Sequence, residues 1–80
     1  MGRTLLMILM VAAAPAWGQD DADWRDCQAP NEDIAIRGCT RLLESGRLDD
    51  AARLRALKQR GYKYSVNEDY RRAARDYDAA

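Results

Sequence analysis

The stretch Leu57-Lys58-Gln59-Arg60-Gly61-Tyr62-Lys63-Tyr64, followed by Asn67-Glu68-Asp69-Tyr70-Arg71-Arg72-Ala73-Ala74-Arg75-Asp76-Tyr77, decides the fold. Leu54, Leu57, Gly61 and Tyr64 recur at steps of three, four and three, which puts them on one face of a helix. Asp49 or Asp50 opens that helix and it runs to about Val66. Gly61 in its middle costs about 1 kcal/mol relative to Ala, a loss usually tolerated where another backbone comes close. Asn67 then reads as the cap of a further helix over about 68–79, with Glu68 and Asp69 in its first turn and Tyr70, Ala73, Ala74 and Tyr77 on its apolar face. The small residues Gly61 and Ala73 allow two antiparallel helices to approach closely. In a chain without Phe, the rings of Tyr64, Tyr70 and Tyr77 supply much of the large apolar area.

Upstream, a preceding helix is bracketed over residues 32–45. Asn31 is a good N-cap, Glu32 and Asp33 place negative charge in the first turn, and Gly46 is a suitable stop. Ile36, Cys39 and Leu43, flanked by Ala35 and Leu42, form its apolar stripe. No alternating apolar run or hairpin dipeptide occurs, so the chain reads as all-α, an antiparallel helix hairpin with one preceding helix.

Residues 19–32 carry Asp20, Asp21, Asp23 and Asp26 but only Trp24 as apolar grip, and read as an acidic, irregular arm tethered by Cys27. Cys27 and Cys39 are the only two cysteines. With Asn31 opening a helix, Cys39 lies about 12 Å along it, and the residues from Cys27 to Asn31 span roughly 13 Å when extended. The arm can therefore fold back and close a disulfide, worth roughly 3 kcal/mol for so short a loop. A metal site or redox pair fits less well, because the chain has no His and the cysteines lack C-x-x-C spacing.

The first eighteen residues have the three parts of a secretory signal: Arg3, the apolar run Leu5 to Ala14, and a break of small residues from Pro15 to Gly18. Ten apolar residues cover only about 15 Å as a helix, roughly half a bilayer core, so export with cleavage after Gly18 or Ala16 is expected in place of a stable membrane anchor. The mature chain would then be periplasmic or secreted, where thiols are oxidised.

Formal charge sums to zero but is uneven. Residues 19–33 hold six acids and one base, residues 34–75 eleven bases and five acids. The basic half interleaves Arg and Lys with Asp and Glu and has no aromatic-flanked basic run, so solvated helix faces are expected and nucleic acid is not. Without His or a Gly-rich phosphate loop, and with both cysteines paired, no nucleophile and base set can be assembled, and neither catalysis nor a cofactor is expected. The neighbouring carboxylates Asp49 and Asp50, and Glu68 and Asp69, read as helix caps.

Residues 57–80 resemble a tetratricopeptide repeat, a helix-turn-helix unit of roughly 34 residues with W-x2-L-G-x2-Y in its first helix and A-x3-F in its second. Leu57, Gly61 and Tyr64 match the first half, and Ala73, Tyr77 and Ala80 the second. Arg60 departs from the pattern, as does Glu68, which stands where the turn usually has Gly. Aligning Ala35 with Ala73 makes residues 32–45 look like the second half of a preceding repeat, offset by 38 residues. The resemblance covers residues 33–80 and is closest to small exported bacterial tetratricopeptide proteins.

What the resemblance implies is a non-enzymatic protein–protein interaction module, since such repeats bury their faces by stacking and leave an end face uncovered. The expected partner face is Tyr70, Ala74 and Tyr77, holding a protein, a peptide or a second copy. The alternatives are a small disulfide-stapled secreted inhibitor or effector acting through the acidic arm, a truncated repeat-protein fragment, and membrane-surface association through Arg53, Arg55, Lys58, Arg60 and Lys63.

Overall fold

A computed structural model describes residues 16–80, so the signal segment lies almost wholly outside the described residues. Among the described residues there are four helices and no strand: α1 (Ala16–Cys27), α2 (Glu32–Ser45), α3 (Asp50–Val66) and α4 (Tyr70–Ala79). Each packs on the next, and α1 also touches α3, so two helix hairpins, α1–α2 and α3–α4, stack on one another.

The acidic segment is not the irregular arm its composition suggested. It is α1, and the reason is pairing. The Asp23 carboxylate is buried and accepts from Arg41 Nε at 2.7 Å and from Gln19 Nε2 at 3.2 Å. Asp26 accepts from Arg41 at 2.7 Å and Asp20 from Arg47 at 2.6 Å. Basic side chains of α2 and its following turn thus neutralise the charge that would otherwise oppose helix formation along α1.

Cys27 closes a disulfide with Cys39, with the two Cα atoms 4.5 Å apart. Both cysteines and Leu42 are fully buried and form the core, with Trp24 and Leu48 packed against them. The contact is closest at Gly38: a Cβ there would sit 2.5 Å from the Cys27 nitrogen, 2.6 Å from Asp26 Cβ and 2.8 Å from the Asp23 carbonyl oxygen. Only an absent side chain lets α2 lie directly on the α1 backbone.

α2 begins where expected, with the Asn31 side chain accepting from the Ile34 N–H at 2.9 Å, and ends at Gly46, whose φ of 73° is the left-handed conformation that suits glycine. Its buried face is Ala35, Gly38, Cys39 and Leu42; Ile36 and Leu43 are half-buried at its margins. Asp49 caps α3 through the Ala52 N–H at 2.8 Å. Asn67 differs from expectation: it terminates α3, and Asp69 caps α4, accepting from the Arg72 N–H at 3.3 Å. Glu68 between them is the one non-glycine residue with positive φ among those described, at 61°. It occupies a left-handed turn position that a glycine would fill without strain.

Leu57 and Ala56 are buried in α3 and Ala73 in α4, whereas Leu54, expected on the buried face, is 38% exposed. The close approach expected at Gly61 is of a different kind. The three heavy atoms nearest an added Cβ there all belong to the Tyr77 ring, at 2.9 to 3.2 Å. Gly61 provides a seat for an aromatic ring, and the backbone-to-backbone contact of this fold belongs to Gly38.

Candidate functional site

Three surface features converge enough side chains to be examined as sites. The first is an open cleft of about 270 Å³ where α1 meets α3, lined by Trp24, Gln28, Arg55, Lys58 and Gln59. Trp24 is half-buried against the disulfide core, and the Arg55 guanidinium lies over its ring, 4.9 Å from the centroid. A cation stacked on an indole face is the stronger form of this contact, worth about 0.5–1 kcal/mol where solvent reaches it. The cleft therefore has an aromatic floor, two cations and two amides able to donate and accept. That inventory suits a polypeptide segment carrying negative charge.

The second is a smaller polar cleft of about 160 Å³ between α3 and α4, lined by Arg60, Tyr64, Arg72, Arg75 and Asp76. Asp76, 4% exposed, receives two parallel hydrogen bonds from Arg60 Nε and Nη2, each 2.7 Å, while Arg60 Nη1 donates to the Thr40 hydroxyl at 3.1 Å. The hydrogen bonds to Asp76, reinforced by its charge, hold the Arg60 guanidinium above its ordinary pKa. Arg60 is thus the residue that joins α2, α3 and α4. Its two-pronged bond to Asp76 is the charge-assisted, bidentate form of hydrogen bond, which fixes geometry as well as adding energy. A further tie runs from Lys63, whose ammonium donates to the Pro30 carbonyl at 3.3 Å and binds the far end of α3 to the α1–α2 turn.

The third is the outer face of α4. Tyr70 is 64% and Tyr77 45% exposed, and Ala74 lies between them. Among the described residues α4 packs on α3 alone. The six positions read as repeat packing divide accordingly: Leu57, Gly61 and Ala73 are buried and Tyr64 is half-buried, Tyr77 covers Gly61 while keeping one side in solvent, and Ala80 is exposed.

The acidic side chains of α1 are largely committed within the chain, Asp20, Asp23 and Asp26 all being paired with Arg47 or Arg41. Among the described residues no group of three or more Cys, Asp and Glu is arranged to hold a metal ion, and no helix is long and apolar enough to cross a membrane. Sequence reasoning did not anticipate Gly38, the Trp24–Arg55 stack, or the Arg–Asp pairs. Apart from the local Arg72–Asp69 pair, they join residues 15 to 27 positions apart with no local periodicity to reveal them. Gly38, by contrast, adjoins Cys39 on a helix interior, and a glycine beside a bridged cysteine was a legible sign of close backbone contact.

No family model, curated protein or solved structure matches this chain.

Proposed function

We propose that this chain is a non-enzymatic, tetratricopeptide-like interaction module, exported and acting in the periplasm or outside the cell, which holds an acidic peptide segment of a partner in the cleft between α1 and α3. The observation that carries this reading is the cleft itself, where Trp24, half-buried against the disulfide core with Arg55 over its ring, is flanked by Lys58, Gln28 and Gln59. In a stack of helix hairpins the first helices of successive units share one surface. In this reading α1 and α3 are those first helices, and the contact between them supports it. The paired cysteines support the location, since such bonds persist in oxidising compartments.

The inhibitor reading is weaker because most of the acidic arm is engaged by Arg41 and Arg47. Calorimetric titration of the oxidised chain with peptides rich in Asp and Glu, in Lys, or in neutral residues tests the proposal. Binding of the acidic peptide alone is expected, weakening with added salt and lost in Arg55→Glu/Lys58→Glu. Equal binding of all three peptides, or undiminished binding by that double variant, would overturn it.

A further inference from the structure

The interaction reading leaves a second surface unexplained, and it is independent of the Trp24 cleft. α4 presents Tyr70, Ala74 and Tyr77 as a stripe at spacings of four and three. Both rings stay about half or more exposed, although the core of this chain is short of large side chains. The stripe is bordered on one side by Arg71 and Asp78, seven residues and about two turns apart, hence in line along the helix. Both are exposed, and neither forms an ion pair among the described residues.

We infer that the occupant of this face is a second copy of the chain, with two α4 helices packed antiparallel about a dyad near Ala74 and Arg75. A twofold axis of this kind keeps the Arg71–Asp78 border on one side and reverses its direction. Arg71 of each copy then faces Asp78 of the other, giving two equivalent ion pairs beside a centre of tyrosine rings and Ala74. The small Ala74 at the crossing lets the helices approach, and antiparallel packing opposes their dipoles. A parallel twofold arrangement would carry the two borders to opposite sides of the seam and leave Arg71 and Asp78 of each copy unpaired across it, so the charge pattern favours the antiparallel pair. One helix face buries less than the roughly 1,200 Å² of standard interfaces, so the dimer is a weak, concentration-dependent one.

Sedimentation equilibrium of the oxidised chain, from about 10 µM to about 1 mM, reads this directly. The parent is expected to shift from monomer to dimer over that range, and Tyr70→Asp to remain monomeric. Tyr70 suits this test because it is the more exposed of the two rings and does not sit on Gly61. Arg71→Asp and Asp78→Arg should each weaken association by about tenfold, and the double swap should restore it to within about threefold of the parent. Circular dichroism confirms that each variant keeps its helices. A parent that stays monomeric throughout, a dimer indifferent to Tyr70→Asp, or a double swap no better than either single one would overturn the inference. Peptide binding in the Trp24 cleft is measured separately and stands or falls by itself.

Discussion

Replacing Gly38 with Ala adds one methyl group at the tightest point of the fold. In an exposed helix interior the change would stabilise by about 1 kcal/mol, because Ala is the better helix former. Here the new carbon would lie 2.5 Å from the Cys27 nitrogen and 2.8 Å from the Asp23 carbonyl oxygen, and neither backbone atom can rotate aside. The disulfide one residue away holds the two helices at a Cα separation of 4.5 Å, so α1 cannot simply lift off. Overpacking of this kind costs about 1–3 kcal/mol, and contact with backbone on two sides argues for the upper end. Set against the propensity gain, the net destabilisation is about 2 kcal/mol, or a melting point lower by roughly 8–16 °C for a domain of this size. Thermal unfolding followed by circular dichroism at 222 nm under oxidising conditions measures it. Gly61→Ala is the internal control: the atoms nearest its methyl group belong to the Tyr77 ring, a 45% exposed side chain that can shift outward, so its melting point should stay within about 4 °C of the parent. A Gly38→Ala chain that melts at or above the parent temperature would refute the account of how α1 and α2 are joined.

Further consequences concern the turn, the ion pair and the disulfide. Glu68→Gly relieves a left-handed residue and should stabilise by about 1 kcal/mol, whereas Gly46→Ala introduces the same strain after α2 and should cost about as much; chemical denaturation compares the two. Asp76→Ala strips the partly buried Arg60 of its bidentate partner and should destabilise by about 3 kcal/mol, and the Arg60→Met/Asp76→Leu pair should recover most of that loss in the same assay. Reduction of Cys27–Cys39 removes a short-loop cross-link and should cost about 3 kcal/mol, read as the fall in melting point on adding a phosphine reductant.

The parts of the fold written in local chemistry were legible from the sequence. Asn31 and Gly46 bracket α2, Asp49 opens α3, and the cysteine pair closes as its reach allowed. The α3–α4 turn was displaced by two residues because Asn67 and Asp69 are both good caps. What separates them is Glu68, whose left-handed φ makes the break and leaves Asn67 to end one helix and Asp69 to begin the next. The helical state of residues 16–27 was not legible. α1 has few apolar residues, and its stability comes from Arg41 and Arg47, which belong to a later part of the chain and meet it only after folding. The same holds for the cleft: Trp24 was visible as a lone aromatic, but its partner Arg55 is 31 positions away and reaches it only through the α1–α3 contact. An amphipathic period groups Tyr70, Ala73, Ala74 and Tyr77 on one side of α4, but Ala73 is buried while the other three are exposed. It does not show that Asp76, on the opposite side, is buried as the anchor of Arg60.

The claim on which the functional reading rests is that the α1–α3 cleft is a binding surface. Amide and indole chemical-shift mapping of the oxidised, isotope-labelled chain on titration with an Asp- and Glu-rich peptide tests it most directly. Saturable shifts concentrated at Trp24, Gln28, Arg55, Lys58 and Gln59, with the Trp24 indole among the largest, are the expected result. Shifts spread evenly over the basic side chains of α3 and α4, or none at millimolar peptide, would contradict it.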